Sequence, residues 1–178
     1  RGLLALMLLH HARRPARVIG GQLVPLADQD RSLWDERAIA EGVDVLQSAL
    51  ARDRLGQYQA QAAIAALHAD AQTAAETDWV QIVEWYDELL TFGDSPVIRL
   101  GRAVAVGEAD GAHAGLAALA AVDEDVPRYH AALAYLHERA GETDAAAAEY
   151  AEAARRATSI LEQQHLLRQA ERLRAGLS

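Results

Sequence analysis

Residues 129–156, YHAALAYLHERAGETDAAAAEYAEAARR, carry two helical faces and the break between them. Tyr129, Leu133, Leu136 and Ala140 recur at intervals of three and four, which places them on one stripe of an α-helix. Ala146, Tyr150 and Ala153 repeat the pattern after the break. Between them, Ala140-Gly141 reads as a helix stop closed by a residue in the left-handed conformation. Two short helices with one apolar face each, joined by a tight turn, bury those faces most simply by packing antiparallel. The stretch therefore predicts a helical hairpin.

The same spacing extends outward over most of the chain. Ile39, Val43, Leu46 and Leu50 share a face, as do Trp79, Ile82, Val83, Tyr86, Leu89 and Leu90. Leu100, Val104 and Gly107 follow, then Leu116 and Leu119, and at the far end Leu166, Ala170 and Leu173. Boundaries are marked by Ser95-Pro96, a cap hydroxyl before a first-turn proline, and by Asp78 with Gln81 and Ser159 with Glu162, spaced as capping boxes. Asp110-Gly111 is a second helix stop. About nine helices are expected, at 2–13, 33–53, 57–74, 79–92, 96–109, 112–122, 128–140, 143–157 and 160–175. Only 14–31 reads as non-helical, and Gly20-Gly21 within it implies a short hairpin or an irregular loop. The fold expected is all-α: one domain over 1–178, its clearest hairpins at 95–122 and 128–157, its terminal helix at 159–176.

Composition agrees with that class. Hydrophobic residues are 51% of 178 but aromatics only 5%, so the core must be built from small aliphatic side chains that let helices approach closely. The absence of cysteine excludes disulfides, thiolate metal sites and a cysteine nucleophile. All 17 basic residues are arginine, which excludes a Schiff-base lysine. A net charge of −9 opposes binding to nucleic acid, whose affinity rests on neutralised phosphates. The apolar run Leu3–Leu9 falls far short of the ~20 residues that span a bilayer, and HHARR after it does not suit a signal peptide, so a buried helix is expected and no membrane. The only methionine is Met7, so the sequence reads as a fragment of a longer chain.

Counted from Gly141, Leu133 lies at −8, Ala134 at −7, Ala146 at +5, Tyr150 at +9 and Ala153 at +12. These offsets resemble the tetratricopeptide repeat, with His130 and His137 standing where that pattern prefers aromatics. Counted from Gly111 they give Ala103, Val104, Leu116 and Ala120, a degenerate copy 30 residues upstream. The resemblance implies a tetratricopeptide-like, right-handed solenoid whose concave face carries Arg128, Ala131, Tyr135 and Glu138. Those residues form a candidate peptide groove, or else the solvated face of a short helix.

One stretch departs from the alanine-rich background. LVPLADQDRSLWD (23–35) packs Asp28, Gln29, Asp30, Arg31, Trp34 and Asp35 into eight positions. Ser32 with Asp35 is spaced as a cap, and Asp35-Glu36 suit the positive end of a helix dipole. The remaining polar residues form a structural network in which Arg31 pairs with Asp28 or Asp35, an ordinary solvated loop, or a partner-binding surface.

GLLALMLLHHARRPAR (2–17), LVPLADQDRSLWD (23–35), AAIAALHADA (62–71), TDWVQIVEWYDEL (77–89) and SPVIRLGRAVAVGEADG (95–111) succeed one another in an order that resembles the C-terminal, tetratricopeptide-like extension of bacterial extracytoplasmic-function RNA polymerase sigma factors. The family's usual asparagine in the last segment is Gly101 here. The resemblance implies a cytoplasmic, non-catalytic regulatory module whose partners are its own N-terminal sigma domains or core RNA polymerase. The other reading is a free-standing helical scaffold that binds a peptide or protein.

Catalytic and metal chemistries find no support in the spacing. His10 and His11 diverge by about 100° on a helix, and His130 and His137 stand two turns, roughly 10 Å, apart. No serine lies in a nucleophile elbow, and no glycine-rich phosphate cradle is present. Neither a cofactor nor a catalytic residue is expected.

Overall fold

The computed structural model describes residues 1–52 and 54–176. Asp53, the expected last residue of the second helix, lies outside them. Among the described residues there are nine α-helices: α1 (Gly2–Ala12), α2 (Glu36–Leu50), α3 (Gln57–Asp70), α4 (Trp79–Phe92), α5 (Pro96–Ala109), α6 (Ala112–Leu119), α7 (Tyr129–Arg139), α8 (Thr143–Arg156) and α9 (Ile160–Arg174). The molecule is all-α, with neighbouring helices paired as hairpins, as the periodicity predicts. The one sheet is a hairpin of β1 (Val18–Ile19) and β2 (Gln22–Leu23), antiparallel with Val18 opposite Leu23. Gly20 and Gly21 turn it with φ of 57° and 75°, the pair of positive angles a tight two-residue hairpin demands.

Contacts divide the chain into two compact units, Arg1–Gly93 and a second beginning at Asp94. In the first, α1 buries Gly2, Ala5, Leu9 and Ala12 against α2 and α3. Close approach requires small residues on both sides. A Cβ on Gly42 of α2 would lie 3.0 Å from Leu9 Cγ, and one on Gly2 would lie 2.8 Å from the backbone N of Gln59 on α3. Helix α3 buries Ala60, Ala62, Ala63, Ile64 and Ala65, more than one stripe, because α1, α2 and α4 all pack on it. A helix that buries more than one stripe belongs in the middle of its unit, while Gln57, Tyr58 and Asp70 at its ends stay exposed.

The second unit has two core clusters. Ala103, Leu119, Val122, Ala132 and Leu136 join α5, α6 and α7. Ala134, Ala146, Tyr150, Ala153, Leu166 and Ala170 join α7, α8 and α9. The α7–α8 turn closes as the opening stretch predicts. Gly141, at φ 79°, donates its N–H to Glu138 O, and Glu142 donates to His137 O, so two end carbonyls of α7 are satisfied. Not every cap marked in the sequence forms. Asp78 accepts from Gln81 N at 3.0 Å, whereas Ser95 and Ser159 occupy the N-cap positions of α5 and α9 without a side-chain bond. Asp94 instead bonds Arg99 Nε at 2.5 Å across the first turn of α5.

Candidate partner-binding surfaces

The segment 23–35 folds as a series of short turns in which almost every polar group has a local use. Gln29 Nε2 donates to Val24 O at 3.1 Å. Asp30 Oδ1 accepts from Ser32 N at 2.9 Å and from Ser32 Oγ at 2.6 Å, which caps the 3-10 turn Arg31–Leu33. The bond from Ser32 Oγ, then that from its N–H, holds the Asp30 carboxyl below the usual carboxylate range. Asp35 N donates to Ala12 O at 3.0 Å, pinning the segment to the end of α1. Asp35 Oδ1 then accepts from Arg37 N and Ala38 N, each at 3.0 Å. Asp35 is thus the N-cap of α2, and Ser32 is not. The helix accordingly starts at Glu36 instead of the expected residue 33, because the 3-10 turn takes up the residues between.

Arg31 goes elsewhere than to Asp28 or Asp35. Its Nη1 donates to His68 O and to Ala71 O, both at 2.7 Å, and so closes the C-terminal end of α3. Its guanidinium lies 4.5 Å from the centroid of Trp34, which is 6% exposed. An arginine suits this place because its fork reaches two carbonyls while its plane rests on the indole. Arg31, with Trp34 beneath it, and Asp35 therefore brace α1, α2 and α3 together, Asp30 caps the turn between them, Gln29 braces the loop before, and Asp28 remains exposed.

Two titratable groups beside this brace, the buried Arg13 and the half-buried His68, escaped the sequence reading. Arg13 is 8% exposed and bonds His10 Nδ1 at 2.9 Å; burial, then the charges of Arg17 and Arg31, bring its pKa down to about 10. His68 meets Trp79 edge-on at 5.2 Å between ring centroids. Burial, then Arg13 and Arg31, bring its pKa down to about 4. The signal for His68 was present, since Ala60, Ile64 and His68 fall on one stripe of α3.

The polar groove residues at and along α7, Arg128, Tyr135 and Glu138, face different neighbours. Tyr135 donates its hydroxyl to Glu108 Oε1 on α5 at 2.5 Å, and Arg139 bonds the same carboxylate. Burial, then the bond to Glu108, raises the Tyr135 phenol. Glu138 accepts from Tyr150 Oη at 2.9 Å on α8 and pairs with Arg172 on α9. Burial, then the charge of Glu138, raises the Tyr150 phenol. Arg128, held at φ 70° as the N-cap of α7, bonds Glu162 of α9 at 2.9 Å. These side chains tie hairpins to one another and do not line a shared trough. A cavity of about 310 Å³ does open at the start of α7, lined by Arg128, Tyr129, His130, Ala131, Arg156 and Glu162 among others, but Tyr135 and Glu138 are not part of it. There His130 Nδ1 pairs with Glu149 at 2.7 Å. No cluster of three or more histidine or carboxylate groups placed to hold a metal ion occurs among the described residues, and no helix among them is long and apolar enough to cross a membrane.

Residues 1–50, which contain α1, the β-hairpin, the polar brace and α2, match the model of a family of unknown function, DUF6596. A relative in Rhizobium meliloti (strain 1021), the uncharacterized protein R00370, is 44% identical over 129 residues. That alignment covers 72% of this chain and 30% of the relative, so the chain corresponds to less than a third of the relative's length. No solved structure matches the chain.

Proposed function

We propose that this chain is a non-catalytic regulatory module of an extracytoplasmic-function sigma factor, cytoplasmic, acting by contact with its own sigma domains or with core RNA polymerase. The observation that carries the reading is the ordered set of segments from GLLALMLLHHARRPAR to SPVIRLGRAVAVGEADG, which resembles the extension of such factors over most of the chain. Geometry supports the non-catalytic half. One of the two most distinctive of those segments, DQDRSLWD, places its arginine and capping aspartates on backbone groups of the scaffold and not around a space where a substrate would react. The alternative, a free-standing scaffold that holds a peptide, draws on the 310 Å³ cavity at the start of α7, whose lining combines Arg128, Arg156 and Tyr129 with the carboxylates Asp125 and Glu162 and with apolar residues such as Ala153 and Leu166.

The test begins with the coding sequence upstream of Arg1 in the native gene. Core-binding and promoter-reading sigma regions are expected there, and their absence overturns the proposal. Where they are present, promoter-specific run-off transcription with the native protein is compared with a version that ends before Arg1. Loss or release of activity supports regulation; unchanged activity with unchanged affinity for core polymerase sinks it.

A further inference from the structure

We infer that the outer face of α1 is a docking groove for an amphipathic helix of another polypeptide segment, one that carries carboxylates at the end lying over Arg14 and Arg17. The inference rests on the reading of the chain as a protein-interaction module and names the surface that would serve it.

Helix α1 is apolar around its whole circumference, GLLALMLLHHA, yet only the stripe Gly2, Ala5, Leu9 and Ala12 is buried. On the opposite side Leu4 and Met7 are 50% and 60% exposed. A helix apolar on all sides is normally buried, whereas the outer side of α1 is not. These side chains line an open depression that runs past His10 and His11 to Arg14 and Arg17 and contains no acidic residue. In a chain of net charge −9, such a lining is the reverse of the average surface. Arg17 is fixed there by its bond to His10 O at 2.7 Å, so its charge stands at the groove's end before any partner arrives. Arg14 is exposed beside it. An apolar floor with a cationic end selects a helix with an apolar stripe and terminal carboxylates, the helix-in-groove mode of recognition. Methionine at the centre adapts to a range of apolar contacts.

The experiment uses the 178-residue chain, ¹⁵N-labelled, and a synthetic 18-residue helical peptide with leucines at i, i+3, i+4 and i+7 and three glutamates at one end. Amide shifts should change along residues 3–17, and binding should weaken about tenfold in Met7→Glu and severalfold in Arg14→Glu. Both residues are exposed, and an unchanged circular dichroism melt will show that the variants fold. The same peptide with lysine in place of glutamate should bind at least about fivefold more weakly. The inference is overturned by equal binding of the two peptides, by shifts elsewhere, or by no binding. It is also overturned by Met7-dependent dimerisation in sedimentation, which would make a second copy the occupant, or by binding only to phosphatidylcholine–phosphatidylglycerol vesicles. Peptide binding is read without polymerase. A failed transcription test therefore removes the sigma-factor assignment and leaves the groove, and a failed peptide test does the reverse.

Discussion

Arg31 is the residue on which the first unit turns. Its two bonds to α3 carbonyls are charge-assisted and half-buried, and its plane covers Trp34. Hydrogen bonds of charged groups contribute about 1.5–3 kcal/mol, and removal leaves the α3 carbonyls to find water. Arg31→Ala should therefore lower stability by about 2–3 kcal/mol in urea denaturation, with Arg31→Lys recovering only part, since an ammonium cannot hold both carbonyls and the indole together. A melting curve unchanged by Arg31→Ala would mean that the brace is not structural. His68 sets a second expectation. Its pKa is about 4 when folded against an ordinary value of 6.5, so below pH 6.5 the unfolded chain binds the extra proton first. The stability this represents is complete above pH 6.5 and is lost as pH falls towards 4, on the order of 3 kcal/mol across the window. His68→Gln should flatten that slope between pH 7 and pH 4.5; an unaltered slope would place its origin elsewhere. Both effects explain what could be read in advance. That Arg31 is out of place among alanines is visible in the sequence, but its partners lie 37 and 40 residues away, and a carbonyl at the end of a helix carries no side-chain signature.

Between helices, small residues decide the geometry. Gly115 of α6 faces Gly107 and Ala103 of α5 so closely that a Cβ on Gly115 would lie 2.7 Å from Gly107 Cα and 2.9 Å from Ala103 O. Leu136 of α7 covers the crossing, and its Cδ2 would be 2.8 Å from the same Cβ. Alanine in place of glycine within a helix is ordinarily favourable by up to about 1 kcal/mol. Here backbone atoms would have to part, and overpacking costs about 1–3 kcal/mol. Gly115→Ala should therefore reduce stability and lower the melting temperature, and a higher one would show that the crossing is looser than these distances imply. At this scale the sequence was informative wherever the signal is local. Gly141 closes its hairpin from within a span of six residues, and helix ends governed by Pro96 or Asp78 fall where expected. Ser95 and Ser159 were less informative: each stands at its N-cap without a side-chain bond, while the nearby carboxylates are engaged by arginines, Asp94 by Arg99 and Glu162 by Arg128. The groove drawn through Arg128, Tyr135 and Glu138 resolves into separate ties between helices. A repeat register says which residues share a helix, but partners on α5, α8 and α9 decide where each side chain turns.

At the scale of the molecule, each unit has its own core and its own polar ties. The first packs Ala5, Leu9, Leu46, Ala62, Ala63 and Ala65 together and is braced by Arg31. The second has the clusters around Leu136 and Tyr150 and is tied by Arg128–Glu162, Arg139–Glu108 and Arg172–Glu138. The point where contacts divide, at Gly93 and Asp94, is not written in the sequence, since TFGDSP (91–96) is as short as the other turns and no change of composition marks it. Chains of this size exceed the ~40 residues below which disulfides, metals or oligomerisation are usually needed for folding. Residues 94–178 expressed alone should therefore give a helical circular dichroism spectrum and one sigmoidal melt, with Gly115→Ala shifting that melt as it does in the full chain. Residues 1–93 should likewise melt cooperatively and keep the full sensitivity to Arg31→Ala. A broad, non-cooperative transition with strong binding of a hydrophobic dye would show instead that neither core closes without the other. The effect of Arg31 on stability would then have to be assigned to the chain as a whole and not to the junction of α1, α2 and α3.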